Sequence, residues 1–255
     1  MTESSFCPAT RGGDGLGALI GKKLFVAGGG SGMGAAIARL AAARGAHVAL
    51  AGRSRAKLDG VAATLRDKAI ATHAIDLSDQ DAVTGAVAAE GPFDHIVTTA
   101  GDLTFKPLVD LSEDEINRML ASRFWGPVNI ARAAATHLVA TGSLIFVSGL
   151  AGYRPSAGSA VVGALNLALE SLAMGLALEL RPRRVNVISP GVIDTPLWSG
   201  MGKAERKAFH DRVAAELPAG RIGTVEDIAH AAISLMENGF MTGSVVHVDG
   251  GGRIA

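Results

Sequence analysis

Leu24-Phe25-Val26-Ala27-Gly28-Gly29-Gly30-Ser31-Gly32-Met33-Gly34, followed by the Ala-rich run from Ala35 to Ala43, decides the fold of this 255-residue chain. The apolar quartet reads as a buried strand, the glycines as a tight loop, and the alanines as a strong helix former. Strand, glycine loop and helix in that order make a phosphate site. Glycine turns the backbone through positive φ and lets it approach an anion with no Cβ in the way. The unpaired N–H groups and positive dipole end of the helix complete the site. A glycine cluster alone is usually a flexible loop. The flanking strand and helix make this one a nucleotide loop.

The length fits one large α/β domain better than two small ones. Hydrophobic residues make up 48% of the chain but aromatics only 4%, so the core is built from Ala, Val, Leu and Ile. Such a core suits a sheet closely covered by Ala-rich helices. Equal numbers of basic and acidic residues, 24 of each, argue against a nucleic-acid or anionic-membrane partner. Cys7, the single cysteine, cannot form an internal disulfide, so a reducing cytoplasmic setting is expected. The N-terminus lacks a basic-then-apolar leader pattern. No uninterrupted apolar run reaches the roughly 18 residues of a spanning helix, so no membrane span is expected. No residue group reads as a metal site.

Residues 1–21 are expected as a mobile tail and 22–255 as one nucleotide-binding domain. Gly12 to Gly17 looks like a second phosphate loop, but no strand precedes it and it reads as linker. Further strands are predicted at 47–51, 70–75, 94–98, 143–147, 184–188 and 244–248. Ser78 with Asp81, and Ser112 with Glu115, read as helix caps with their return partners. The second cap opens a helix to about His137, and another helix spans Ala157 to Leu180. Strands alternating with helices through right-handed crossovers give a doubly wound, Rossmann-type parallel sheet of about seven strands. The glycine turn then sits at its switch point.

In dinucleotide folds an acid about 20 residues past the glycines holds the ribose 2′-hydroxyl. Here Gly52-Arg53-Ser54 stands in its place, with Arg55 beyond. A guanidinium and the Ser54 hydroxyl would hold a 2′-phosphate, which predicts NADP(H) rather than NAD; a solvated Arg at a helix start is the plainer reading. Asp76 either accepts from the adenine amino group or belongs to a turn. Thr99-Ala100-Gly101 is small enough for backbone to approach the adenosine ribose. The helix from Ala157 to Leu180 is apolar almost all round (Val161, Leu165, Leu167, Leu169, Leu172, Met174, Leu176, Leu178). One sheet face cannot bury every side of it, so a homodimer or homotetramer is expected through this helix and the helix at 113–137.

From about Gly21 to Gly252 the order of elements resembles the short-chain dehydrogenase/reductase family. Ala27 to Gly34 looks like its Thr-Gly-x-x-x-Gly-x-Gly loop, and Thr98-Thr99-Ala100-Gly101 like its Asn-Asn-Ala-Gly. Ser189-Pro190-Gly191-Val192-Ile193-Asp194-Thr195 is similar to the loop that holds the nicotinamide amide, and Val248-Asp249-Gly250-Gly251 to its C-terminal signature. The resemblance implies cofactor contacts from Gly28, Gly30, Ser31, Gly32, Met33 and Gly34, and from Pro190, Gly191, Ile193 and Thr195. It also makes Asp76-Leu77 an adenine-contacting pair and places a substrate lid at 197–220.

The catalytic set departs from that pattern. Where the family has an assisting Asn, a strand-end Ser and Tyr-x-x-x-Lys, this chain aligns Arg123, Gly149, Val162 and Asn166. It holds one tyrosine, Tyr153, and no lysine between Lys106 and Lys203, so no shift of register restores the pair. Ser148 could turn in through a kink or bond to backbone. Arg123 points toward the vacated Lys place or makes a helix-surface ion pair, and Asn166 bonds ribose hydroxyls or is an interface polar residue. Tyr153 at the pocket rim would be a slow proton donor, its pKa near 10 and unassisted. His210 lies in the lid, whose Leu197, Trp198, Met201 and Phe209 make the pocket partly apolar. Two functions fit. One is an atypical NADP(H)-dependent oxidoreductase passing hydride to an activated electrophile, a carbonyl, enone or imine. The other is a non-catalytic NADP(H)-binding sensor or assembly partner.

Overall fold

Strand β1 (Lys23–Ala27) forms because Leu24, Phe25, Val26 and Ala27 are all buried, alternate residues meeting opposite layers. The computed structural model describes residues 19–255; Cys7, Gly12 to Gly17 and the rest of the expected tail to residue 18 lie outside the described residues. Around β1 lie β2 (His47–Gly52), β3 (Ala69–Ala74), β4 (Phe93–Thr98), β5 (Leu138–Val147), β6 (Arg184–Pro190) and β7 (Val245–Val248). All pair in parallel, in the order β3-β2-β1-β4-β5-β6-β7. The helices are α1 (Gly32–Ala43), α2 (Arg55–Ala62), α3 (Gln80–Glu90), α4 (Glu113–Leu120), α5 (Gly126–His137), α6 (Ala160–Glu179), α7 (Lys203–Glu216) and α8 (Val225–Glu237).

Leu24 and Val26 face a layer made by α1 and α8, with Ile37, Ala41, Ile228 and Ile233. Phe25 and Ala27 face α3, α5 and α6, with Val87, Ile130 and Leu169. A sheet covered on both faces needs apolar runs rather than alternation, which is what the strands show. The doubly wound expectation holds. Chain direction across the sheet reverses between β1 and β4, and there the cleft opens.

Several boundaries differ from expectation. Leu19 is buried and the Gly21 N–H donates to Gly45 O (3.2 Å), so the end of the expected tail is packed on the domain. Asp79, not Ser78, caps α3, accepting from the Ala82 N–H at 3.0 Å. Ser78 is taken by a turn in which its N–H and hydroxyl both donate to Asp76 Oδ1. The Ser112–Glu115 capping box forms as expected. The expected helix at 113–137 is α4 and α5 joined by a π-turn at Ala121–Trp125. Strand β5 begins at Leu138 and α6 at Ala160.

Helix α6 is long and apolar enough to cross a membrane, with a mean hydropathy of 1.8. Its Leu169, Ala173 and Ala177 nevertheless pack on the sheet, and Leu167, Met174 and Leu178 are exposed on the outside.

His95 in β4 is buried and its Nδ1 lies 2.8 Å from Ser143 Oγ, its register partner on β5. Burial pushes the imidazole down from 6.5 to about 4; Asp94 opposes the shift, while Arg184 and Lys22 reinforce it. The folded-state value lies below the unfolded one, so the full stability is present above 6.5 and is lost as pH falls toward 4. Between pH 7.5 and 5 this group should remove about 2 kcal/mol. Urea unfolding at both pH values should show His95→Gln losing that much less than the parent; equal slopes would refute the assignment.

Candidate functional site

The cleft at the switch point encloses about 510 Å³, between the loop after β1, the ends of β2 and β4, and the π-turn before α5. Gly28 (φ +88°) holds its loop by donating to Ala51 O at 2.8 Å. A Cβ on Gly28 would lie 2.7 Å from Ala100 N and from Thr99 Oγ1, and one on Gly34 would overlap the Gly28 carbonyl oxygen. Both absences let α1 and the loops close around a narrow cradle. Ser31 makes no side-chain cap and the first turn of α1 carries no acid, so its N–H donors are available to an anion. A cradle that side chains would fill, at an uncapped helix start, fits a dinucleotide pyrophosphate. Gly28, Gly30, Ser31, Gly32 and Met33 line the cleft, while Gly34 sits behind the wall.

Arg53, Ser54, Asp76, Leu77, Thr99, Ala100 and Gly101 line the same cleft, so the structure brings together nearly every predicted adenosine-side residue. Two details go beyond the sequence reading. Arg53 already grips a carboxylate, since Nη1 and Nη2 each donate to an oxygen of Asp102 at 2.8 Å. The acid missing after β2 thus arrives from the loop after β4. Lys57, one helical turn past Arg53, adds a second cation to the wall. Asp76 spends Oδ1 on Ser78, and its carboxyl is held below the usual range chiefly by that N–H. This is the turn role, on a residue that still faces the cleft.

The inner wall is Arg123, carried by the π-turn and only 5% exposed. The surface ion pair considered for it is not formed. Nη2 donates to Asn166 Oδ1 at 2.5 Å and to Ser148 O at 3.2 Å, while Nε has no partner. Burial lowers its pKa to about 10, so it remains a cation at neutral pH. Gly101 makes room for it, because a Cβ there would overlap Arg123 Cδ. Asn166 is consumed by these bonds, Oδ1 by Arg123 and Nδ2 by Gly149 O (3.1 Å), which replaces the expected ribose contact. Val162 is buried against Met119 and Leu165.

Neither hydroxyl candidate faces the cleft. Ser148 Oγ donates to Glu170 Oε1 at 2.6 Å, on the α6 side of the sheet, rather than kinking inward. Tyr153 Oη donates to the other oxygen of Glu170, and burial, then this bond, pushes the phenol up to about 12. Glu170, the one charged residue between Arg154 and Glu179, is buried and draws both hydroxyls to itself. Of the Pro-Gly loop, Thr195 lines the cleft, whereas Pro190, Gly191 and Ile193 stand outside its walls. The segment expected as a lid is pinned to that loop by Trp198 Nε1 donating to Ile193 O (2.9 Å) and by an Arg206–Asp194 ion pair. Its Leu197 reaches the cleft; His210 does not.

Residues 27–252 match the family model described as enoyl-(acyl carrier protein) reductase. A short-chain dehydrogenase/reductase of Stachybotrys chlorohalonatus is 31% identical, over 91% of this chain and 97% of that one. The chain belongs to the short-chain dehydrogenase/reductase family. A small-chain dehydrogenase solved in complex with NADPH superposes with a TM-score of 0.82 at 33% identity, over 92% of this chain and all of that one. The reductase/Diels-Alderase MalC of Malbranchea aurantiaca superposes with a TM-score of 0.83 at 29% identity, over 92% and 98% of the two chains.

As a member of this oxidoreductase family the chain has a nicotinamide dinucleotide as the expected occupant of the cleft, and the glycine cradle fits one. The sequence reading missed Lys57, Asp102 and Glu170. Lys57 was findable, four residues after Arg53 on a predicted helix start. Glu170 had a signal too, a carboxylate inside an apolar helix. Asp102 had none, since only the tertiary fold carries it to Arg53.

Proposed function

We propose that this protein is an atypical NADP(H)-dependent reductase whose substrate is already activated as an electrophile. The observation that carries this reading is the inner wall of the cleft: a buried guanidinium on Asn166 where a phenol and ammonium pair is expected, beside an intact cofactor cradle. Gly28, Gly30, Ser31, Gly32, Met33 and the start of α1 would hold the pyrophosphate, with Gly34 keeping the cradle narrow. Asp76, Leu77, Thr99, Ala100 and Gly101 would hold the adenosine, and Pro190 to Thr195 the nicotinamide amide. When bound, the cofactor supplies the hydride. Neither hydroxyl considered as a proton donor is free, because Ser148 and Tyr153 are tied to Glu170. Reduction of an iminium suffers least. Hydride adds to carbon, the π pair neutralises nitrogen, and no proton is needed at that step.

NADPH absorbance followed with a panel of carbonyls, enones and iminium ions should show fastest loss with the iminium ions. The same closed-off hydroxyls favour a second reading, a dinucleotide-binding protein without redox chemistry. Tight NADPH binding with no turnover across the panel would select it.

The cofactor preference rests on Arg53 and Lys57. NADPH should bind at least tenfold tighter than NADH, about 1.4 kcal/mol. Arg53→Ala should erase most of that gap, and Asp102→Asn should widen it by releasing the guanidinium. Nicotinamide fluorescence titration reads both; equal affinities in the parent protein would sink the assignment.

Leu167, Met174 and Leu178 form the uncovered side of α6. Together with the α4–α5 segment they are proposed to pair with a second copy. Light scattering at micromolar concentration should report a dimer or tetramer, and a monomer would contradict this.

A further inference from the structure

Deepening the reductase reading, we infer that Arg123 forms an anion subsite in the wall of the cleft and that the electrophile reduced there carries a carboxylate. Arg123 is 5% exposed, and no ion pair among the described residues reaches it. A buried charge without a counter-charge is costly, and native proteins pair it or neutralise it. Neutralisation is not the solution here, because a guanidinium lowered only to about 10 stays protonated at pH 7.

Asp76 and Asp102, the carboxylates that line the cleft, are committed elsewhere, as are Glu170 and Asp194. Glu170 accepts from Ser148 and Tyr153, Asp102 pairs with Arg53, Asp194 pairs with Arg206, and Asp76 accepts from Ser78. Arg123 itself is only partly used. Both of its hydrogen bonds leave from Nη2, to the neutral acceptors Ser148 O and Asn166 Oδ1, and Nε is buried with none. Those two bonds fix the guanidinium plane, and the missing side chain of Gly101 gives its stem a slot. A rigid, desolvated cation with unused N–H donors in the wall of a ligand cleft lacks only the anion. The ligand that completes it brings an anionic oxygen of its own. A substrate carboxylate does so before any hydride moves, which also fixes the reducible bond relative to the wall.

The test is calorimetric titration of the cofactor-free protein in chloride-free buffer with propanoate and with propanamide, which match in shape and differ in charge. Propanoate should bind at least tenfold tighter than propanamide, and chloride should compete with it. Arg123→Met should abolish the difference. Asn166→Asp, nearly isosteric, places a carboxylate on Nη2; it should abolish propanoate binding too, while raising the melting temperature. If Arg123→Met does not fold, the parent comparison and Asn166→Asp decide. Equal binding of propanoate and propanamide to the parent, or undiminished propanoate binding to Asn166→Asp, overturns the subsite. If NADPH fails to bind while propanoate binds through Arg123, the reductase reading falls and the subsite stands.

Discussion

Supplied with NADP⁺ and a simple secondary alcohol, the protein is expected to turn over 10² to 10⁴-fold more slowly than the roughly 10 s⁻¹ of a typical enzyme. Alcohol oxidation needs a base to take the hydroxyl proton as hydride leaves. The only phenol in the chain, Tyr153, has its pKa raised to about 12 and its hydroxyl bound to Glu170. A phenol moved in that direction is the reverse of a useful base at neutral pH. Val162, aligned with the usual tyrosine, is packed among Met119 and Leu165 and has no titrating group. The pH–rate profile of whatever activity is found should therefore show no ionisation attributable to a depressed tyrosine. Turnover of ordinary secondary alcohols near 10 s⁻¹ would refute the proposed mechanism outright.

Gly34→Ala should cost about 1–3 kcal/mol of stability, and nucleotide affinity should fall at least 100-fold, about 2.7 kcal/mol. The new Cβ would overlap the Gly28 carbonyl oxygen, which is backbone and cannot rotate away, and it would lie 2.7 Å from Thr99 Oγ1. Relief requires α1 to move off the loop, and that opens the cradle where the pyrophosphate is expected. Gly85→Ala in α3 is the control. Nothing lies within 4 Å of that position, so the change should stabilise by about 0.5–1 kcal/mol through helix propensity alone. Urea denaturation and nucleotide titration measure both. A Gly34→Ala variant as stable and as tightly binding as the parent would show that the helix and loop are not in tight contact.

Part of the site was legible because it is local in sequence. The run from Leu24 to Ala43 contains its own strand, turn and helix, so its cradle could be read before any contact was known. Thr99 to Gly101 and Arg53-Ser54 were legible for the same reason, each following an apolar strand at the sheet edge where ligands sit. The failures share an opposite cause. Tyr153 was placed at the pocket rim, and Ser148 was left between turning in and bonding to backbone, because both lie close in sequence to the expected catalytic positions. Their direction was decided by Glu170, buried on α6 beyond both of them. The cap of α3 was misread because Ser78, the expected cap, donates its N–H and hydroxyl to Asp76 and leaves the cap to Asp79.

Element order, the parallel sheet, the glycine loop and the lack of a Tyr-x-x-x-Lys were determined by sequence alone, because hydrophobic period, glycine placement and residue inventory are properties of the chain. What Arg123 does was decided only by the tertiary structure. From sequence it was as much a surface ion pair as a site residue. The fold instead buries it between Gly101, Ser148 and Asn166, from the loops after β4 and β5 and from α6. Burial turns an ordinary arginine into an unbalanced charge, and that is a property of its surroundings that no local pattern encodes.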